Sequence, residues 1–278
     1  MDADSRALVK LWNSMKARKL RIILGIASIG AFLVFWHSFA WMLRYWDSTL
    51  QEYIPFPIDV FTVLAESFVH EVPGMDLTMG EMAFASLKRV IIGFSLALLA
   101  AFPLGLLVAS FRFVKHLGDP IVEMFRPIPP VAWIPIFLVA LTVFWGPIAV
   151  VFLGAFFPIF LNVVFGVKRT DHTLIDAAKT LGANRVDVFT KVVIPSTLPY
   201  LMTGVKIGLG IGWMCIVAAE MLPVLGGGVG YALWTSALQY SRFDVTFACM
   251  IVIGLMSILT TGLAEQFERR MYRWMGME

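Results

Sequence analysis

Two ionisable side chains, Lys206 and Glu220, lie in or beside an apolar stretch of membrane-spanning length near residues 199–219. A charge inside the hydrocarbon region of a membrane is costly, and such residues often mark the path of an ion or a substrate. Lys206 could attract an anion, or its amine could reach the headgroups while its stem stays in the apolar region. Glu220 could contact an anionic substrate, or pair with a cation or with backbone groups. We expect both residues to belong to a translocation pathway, with the structural roles as alternatives.

Small residues recur at a regular interval in the same stretch, at Gly204, Gly208 and Gly212. Glycines four residues apart share one face of a helix and let a neighbouring helix approach closely. The spacing predicts the lining of a pathway, a contact between two copies of the chain, or ordinary packing within one chain.

Other kinds of chemistry lack the residues that they need. No G-x-x-x-x-G-K-[ST] phosphate cradle occurs, and the glycine-rich run at 226–230 lacks the Lys and Ser/Thr of that motif, so we predict a flexible turn or gate loop there. No histidine pair has the spacing of metal ligands, so we predict no metal site. A membrane enzyme would need a cluster of Asp, Glu or His at the membrane surface, and none is present.

The elements that must position these residues are apolar helices. Hydrophobic residues make up 59% of the 278-residue chain and charged residues 15%, against about 25% charged in soluble domains. An integral membrane protein of the all-α class follows. Apolar runs of about 20 residues predict six transmembrane helices. They lie near 22–43, at 90–111, in two halves of 128–166 split at Trp145-Gly146-Pro147, at 199–219 and at 244–264.

The distribution of Lys and Arg sets the expected orientation. With six spans, most basic segments fall on one side, while residues 47–81 are acidic and contain no Lys or Arg. By the positive-inside rule both termini are then cytoplasmic, with Lys88 and Arg89 as exceptions. The predicted division is a cytoplasmic N-terminal segment 1–21, a first transmembrane helix 22–46, an extracytoplasmic segment 47–82, a core 83–265 with five transmembrane helices, and a cytoplasmic tail 266–278.

An amphipathic helix is predicted within residues 53–71 of the extracytoplasmic segment, where apolar residues recur at helical spacing with acids between them. Such a helix could lie on the outer membrane face or meet a binding protein.

A polar segment at residues 171–195, which we call the hairpin, interrupts the apolar runs and predicts two short helices. Thr173 and Asp176 have the spacing of a capping box at the start of the first helix. Asp171 is an alternative cap. Gly182 suits the left-handed residue that ends a helix.

The second helix of the hairpin is expected to begin near Asn184 and to end before Pro195, which cannot continue the backbone hydrogen bonds. On the first helix, Ala178 and Gly182 share a face, with Leu181 beside them. These small side chains would allow the surface of another protein to come close.

The run DAAKTLGANRVDVFTKVVIPSTLP resembles the EAA loop of ABC importer permeases. Asp176-Ala177-Ala178 stands for EAA, with Asp in place of Glu. Gly182 falls at the family's spacing, and Ile194-Pro195 with Leu198-Pro199 closes the motif. The resemblance covers most of the chain from about Ile54. Runs such as SLKRVIIGFSLALLAAFPLGLL, FRPIPPVAWIPI and TGVKIGLGIGWMCIVAAEML are similar to the nitrate/sulfonate/taurine/bicarbonate permeases.

The resemblance implies a type I (MetI-like) permease in the cytoplasmic (inner) membrane of a bacterium or archaeon. Its implied partners are a second permease copy, two cytoplasmic ABC ATPase subunits and an extracytoplasmic solute-binding protein, with membrane lipid around it and no nucleic acid. The chain itself would be no enzyme, because ATP and Mg²⁺ would bind the ATPases. The implied cargo is a small anion of the nitrate, bicarbonate, sulfonate or taurine type.

The resemblance also implies roles for particular residues. The ATPase-coupling residues are expected to be Asp176, Ala177, Ala178, Leu181, Gly182 and Arg185. Arg126, with Pro127, Pro129 and Pro130, is expected to form or buttress an inner gate, with a simple positive anchor as the alternative for the arginine.

A secondary transporter driven by an ion gradient is the alternative class. It would need several acids or histidines within the spans and an inverted internal repeat. The sequence shows no such repeat, and Glu220 is its sole candidate acid.

Overall fold

A computed structural model of the chain describes residues 3–46, 53–222 and 227–275. Within these ranges the chain is helical and contains no β-strand, which confirms the all-α class. A 3-10 turn at Pro130–Trp133 precedes α5, and a π turn at Phe189–Val193 joins α8 to α9. The helices are α1 Ala3–Trp46, α2 Pro57–Val69, α3 Met79–Ser110, α4 Arg112–Phe125, α5 Ile134–Ala140, α6 Trp145–Lys168, α7 His172–Thr180, α8 Arg185–Val188, α9 Ile194–Glu220, α10 Val229–Leu238 and α11 Phe243–Trp274.

Among the described residues, five helices are long and apolar enough to cross a membrane, and a sixth crossing exists if one bent pair counts as a span. The five begin at Ile22, Met79, Trp145, Arg185 and Phe243. The bent pair joins Arg112–Phe125 to Pro130–Ala140 at an angle of 83°.

The prediction that the third span is a single helix was wrong. We expected one helix from about residue 128 to the break near Trp145, but the corresponding crossing starts in α4 and turns a corner before α5. Prolines cause the corner, because proline donates no backbone hydrogen bond and disfavours the helical conformation of the residue before it. The reversal itself occupies residues 141–144, and Trp145 begins α6. Pro147 then lies in the first turn of α6, where a missing N–H costs nothing.

The N-terminal helix α1 runs without a break from Ala3 to Trp46, so no change of secondary structure marks the predicted boundary at residue 21. Its contacts with the rest of the chain include the ring of Trp36, which stacks on Phe247 with centroids 5.5 Å apart, and the ring of His37, which stacks on Phe56 with centroids 4.8 Å apart. The predicted amphipathic helix is α2, and its Val60 is fully buried in a cluster with side chains of α3, α10 and α11. This face of α2 therefore packs on the core of the chain instead of lying on a membrane.

The centre of the fold is α6, which packs between α3 and α9. The backbones come close enough to require small residues on α3. A β carbon on Gly93 would lie 2.7 Å from the carbonyl oxygen of Ile148, and one on Gly105 would lie 2.8 Å from Val163. At one end α9 continues into the hairpin, and at the other it ends at Glu220, beside residues 227–230. We call these the hairpin end and the loop end of α9, and residues 227–230 the glycine loop.

Candidate functional site

The first helix of the hairpin is α7, and its N-cap is Asp171. The Asp171 carboxylate accepts a hydrogen bond from the Thr173 backbone N–H at 2.8 Å. The backbone and hydroxyl hydrogen bonds from Thr173 lower the pKa of the Asp171 carboxyl below its ordinary value. The capping box that we predicted between Thr173 and Asp176 is wrong, because α7 begins at His172, two residues earlier than that box requires, and Thr173 lies inside the helix. Asp176 instead forms an exposed ion pair with Lys179 at 3.2 Å.

The end of α7 has the geometry that the sequence predicts. Gly182 has φ of +86°, in the left-handed region. Its N–H donates to the Lys179 carbonyl at 2.9 Å, and the Ala183 N–H donates to the Ala178 carbonyl at 3.0 Å, which together form a Schellman motif. A β carbon at Gly182 would meet no atom within 4 Å. The backbone conformation, and not crowding within the chain, therefore favours glycine at this position.

The second helix begins at a capping box. The Asn184 side chain accepts from the N–H groups of Val186 and Asp187, each at 2.9 Å, and the Asp187 carboxylate accepts from the Asn184 N–H at 3.4 Å. This helix does not end before Pro195, contrary to our prediction. It continues as one helix of 36 residues, Arg185–Glu220.

The π turn explains how the helix passes Pro195. In this wider turn the Ile194 N–H donates to the Phe189 carbonyl, five residues back. Proline is tolerated where its missing N–H is not needed and its ring has room, and Pro195 lies at the start of the regular helix that follows. The hairpin is thus joined to α9 by continuous helix.

The hairpin presents apolar side chains that contact little of the chain itself. Leu181 is 89% exposed, Val186 69% and Leu174 53%. A cavity of about 520 Å³ lies between the two helices and is lined by Lys179, Ala183, Asn184, Arg185 and Val188. Of the residues predicted to couple to an ATPase, Ala178 is half-buried and the others are exposed: Asp176, Ala177, Leu181, Gly182 and Arg185. Together they form a surface available to a partner.

Lys206 does not have a free ammonium group. Its Nζ lies 2.8 Å and 3.1 Å from the two carboxylate oxygens of Glu268 on α11, and the Tyr272 hydroxyl donates to Glu268 at 3.1 Å. The sequence analysis missed Glu268. The sequence did contain a signal for this pair. The two spans are antiparallel neighbours, and the basic residue of one and the acidic residue of the other lie close to the same side of the membrane.

The glycine stripe of α9 faces α6 of the same chain. A β carbon at Gly204 would lie 3.0 Å from the Cα of Ile159, and one at Gly208 would lie 3.3 Å from the Ala155 carbonyl oxygen. At Gly212 it would lie 3.4 Å from a valine side chain of α6. Of the three alternatives for the stripe, the structure shows packing within one chain.

Glu220 is fully buried, and its carboxylate has three hydrogen-bond partners. Arg89 Nη1 lies 2.7 Å from Oε1, and the Ser86 hydroxyl donates to Oε2 at 2.7 Å. The Gly230 N–H donates to Oε2 at 3.2 Å, and the same Arg89 nitrogen donates to the Gly227 carbonyl at 2.8 Å. Glu220 therefore pairs with a cation and with backbone groups and does not line an open space within this chain. The pair also accounts for Arg89, which was an exception to the expected charge distribution.

Arg126 lies at the corner between α4 and α5. It caps the end of α4, and the prolines at 127, 129 and 130 occupy the 83° bend that follows. Its side chain and that of Lys168 border a cavity of about 370 Å³ next to α6. Within the described ranges, no group of three or more His, Cys, Asp or Glu residues could hold a metal ion. Gly226 and residues 47–52 lie outside those ranges.

Comparison with known proteins gives a consistent result. Residues 101–273 match the family described as the binding-protein-dependent transport system inner membrane component. A putative ABC transporter permease protein of Methanocaldococcus jannaschii is 46% identical over 69% of this chain and 72% of its own length. The nitrate import permease protein of Synechocystis sp. is 36% identical, over 67% of each chain. The bicarbonate transport system permease protein of Synechococcus elongatus is 32% identical over 91% of this chain and 89% of its own.

The fold also matches solved structures. A chain from a bacterial ABC transporter involved in the import of the acidic polysaccharide alginate superposes with a TM-score of 0.54 at 19% identity. The match covers 94% of this chain and 99% of that one.

Proposed function

This chain belongs to the family of binding-protein-dependent transport system inner membrane components, and from that premise we propose that it forms the translocation pathway of an ATP-driven importer for a small anion. It is a multi-pass ABC transporter permease. The relatives named for nitrate and for bicarbonate support a cargo of the oxyanion class, and the sequence resemblance adds sulfonate and taurine to the proposed range.

The hairpin is the proposed contact with a cytoplasmic ATPase subunit. The observation that carries this proposal is the exposure of Leu181 at a capped turn that continues directly into α9. A continuous helix of 36 residues at ~1.5 Å per residue is about 54 Å long, enough to cross a membrane. Movement imposed on the hairpin would therefore reach the loop end of α9 without a flexible joint to absorb it. ATP and Mg²⁺ would bind the ATPase, and closure of two ATPases would switch the pathway between two states.

The proposed pathway lies between two copies of the chain. The glycine stripe is occupied by α6, so the face of α9 left for a partner copy or for cargo carries Thr203, Ile207 and Met214, all exposed. Lys206 remains a proposed pathway residue near the hairpin end of this face, acting as part of its pair with Glu268. The corner at Arg126 is a proposed gate element on the same side.

The proposed arrangement in the membrane follows the charges. The basic residues of the hairpin, Lys179, Arg185 and Lys191, support a cytoplasmic position for it in a bacterial or archaeal inner membrane. Segments 1–21 and 266–278 would then also be cytoplasmic, and 47–82 extracytoplasmic, where a solute-binding protein would deliver the cargo. The proposed assembly is a permease homodimer with two ATPases.

Two substitutions at Gly182 test the ATPase contact. Alanine and tryptophan share the strain of a β carbon at φ of +86°, but only tryptophan fills the open space in front of the turn. We expect Gly182→Trp to abolish co-purification with the ATPase and ATP-driven uptake, and Gly182→Ala to retain most of both. Equal assembly and uptake in the two variants would refute the contact. Uptake that persists without ATP but collapses with the ion gradient would favour the secondary transporter.

A further inference from the structure

We infer that Ser86, Arg89 and Glu220 are positioning residues that hold the glycine loop between α3 and α9, and that α9 releases this loop when the hairpin moves. The inference rests on the proposed function, because it assigns the step by which movement of the hairpin reaches the opposite side of the membrane. It brings together features that the sequence showed separately: a basic residue on the acidic side, an acid at the end of a span, and a glycine-rich run.

The contacts join three separate elements through one carboxylate. Glu220 on α9 accepts from Arg89 and Ser86 on α3, and from the N–H of Gly230 at the start of α10. The α3 residues also hold the loop directly, because Arg89 donates to the Gly227 carbonyl at 2.8 Å and Ser86 accepts from the Val229 N–H at 3.0 Å. The Glu220 side chain is fully buried and the Arg89 side chain is 10% exposed. Three backbone groups of the loop, at Gly227, Val229 and Gly230, thus have partners on α3 or α9.

The Glu220 side chain leaves no room for a β carbon at Gly228 or Gly230 of the loop. Gly228 has φ of +133°, and a β carbon there would collide with the Glu220 carboxylate. A β carbon at Gly230 would lie 2.8 Å from the Glu220 Cβ and 2.5 Å from the Val217 carbonyl oxygen. The loop therefore fits against α9 only without side chains at these positions, and its position depends on where Glu220 lies.

The charged and hydrogen-bonded character of the contacts around Glu220 supports a contact that opens. Two charges lose their hydration when they are buried. Well-packed apolar residues of similar volume therefore often stabilise a permanent contact at least as well as a buried ion pair does. Charged and hydrogen-bonding groups specify one arrangement, and they can be separated if water enters and solvates them. A buried pair between two transmembrane helices and a glycine-rich loop has the properties needed at a closure that opens and re-forms.

In the inferred step α9 moves away from α3. Two polar contacts tie α9 to α11, Lys206 to Glu268 at 2.8 Å and the Trp213 indole N–H to Thr260 at 2.9 Å. Displacement of α9 would carry α11 with it and move Glu220 away from Arg89 on α3. The glycine loop would then lose its hydrogen bonds either to α9 or to α3.

The test measures exposure of the loop in the complete complex of permease, ATPase and binding protein. Val229 is 1% exposed, so a cysteine at this position should react slowly with a membrane-impermeant maleimide. The two natural cysteines, Cys215 and Cys249, are both buried and set the background. We expect Glu220→Gln to raise the labelling rate of the Val229→Cys chain by about tenfold or more, through more frequent local opening. It should also raise ATP hydrolysis in the absence of the binding protein.

A matched control separates this effect from the loss of any ion pair. Asp244→Asn removes another ion pair, that with Arg242 at 2.7 Å, whose further hydrogen bonds are made with Val245 and Thr246 of α11. We expect it to leave the labelling rate and the ATP hydrolysis unchanged. If Glu220→Gln fails to fold, Ser86→Ala decides the question, since it removes only the hydroxyl between Glu220 and Val229 and should raise labelling in the same direction.

Folded variants in which neither Glu220→Gln nor Ser86→Ala changes labelling would overturn the inference, even if uptake fell. A comparable rise in the Asp244→Asn control would also overturn it. Labelling needs no cargo, so failure of the unmodified complex to import an anion would count against the proposed substrate and not against this positioning role.

Discussion

Replacement of Leu181 by alanine tests the hairpin contact through a single side chain. Leu181 is 89% exposed in the isolated chain, so its removal deletes almost no packing within the permease. If the ATPase buries this side chain, the complex gains the free energy of transferring it from water, about 1.5–3 kcal/mol for a whole leucine. Alanine keeps the β carbon, so we expect a loss of about 2 kcal/mol, or roughly 30-fold in Kd.

The measurement is the affinity of the purified permease for its ATPase subunit, titrated in detergent or nanodiscs at fixed salt. The chain offers a matched control in Leu238 of α10, which is 63% exposed and lies beyond the loop end of α9. We expect Leu238→Ala to leave the affinity unchanged. Both variants should unfold at the temperature of the unmodified chain, because neither side chain is buried.

Two results would refute this account of the hairpin. One is a Leu181→Ala permease that binds the ATPase with unchanged affinity. The other is an equal loss of affinity in Leu181→Ala and Leu238→Ala, which would indicate a general effect of removing exposed apolar surface.

Other regions give further predictions. Hydrogen bonds lower the pKa of the Asp171 carboxyl, so its cap is fully effective above the ordinary aspartate pKa of about 3.9 and is lost as the pH falls through the lowered value. The protection factors of the first amides of α7, which correct for the intrinsic pH dependence of exchange, should therefore fall on acidification in the unmodified chain but not in Asp171→Ala. Lys206→Met and Glu268→Gln should be non-additive in denaturant unfolding, with a coupling of about 1 kcal/mol. Gly204→Ala should destabilise the fold by about 1–3 kcal/mol because a β carbon there meets α6 at 3.0 Å. Gly210→Ala, with nothing within 4 Å, should not destabilise it.

Several features of this chain were predictable because they depend on neighbouring residues only. Apolar runs of about 20 residues report membrane spans directly, since a helix must cover the hydrocarbon thickness. Gly182 was predictable as a left-handed helix end for a similarly local reason, and its φ of +86° confirms it. The motif in the hairpin indicated the permease family, which the family match confirms.

Sequence patterns did not predict the correct helix boundaries where two local signals compete. Asp171 and Thr173 are both good caps, and the start of α7 at His172 decides for Asp171. Pro195 normally ends a helix, yet the π turn before it lets the helix continue. The corner between α4 and α5 was missed for a different reason, because hydropathy reports how apolar a segment is and not the direction in which the chain runs.

The sequence by itself determined that this is an all-α membrane permease with a capped polar hairpin, because span length, cap residues and motif spacing are short-range properties. Only the tertiary structure showed which charged residues form ion pairs with each other. Lys206 and Glu268 are 62 residues apart, and Arg89 and Glu220 are 131 apart. The packing of α9 against α11 and α3 brings each pair together, and a partner of opposite charge lowers the cost of a charge inside a membrane.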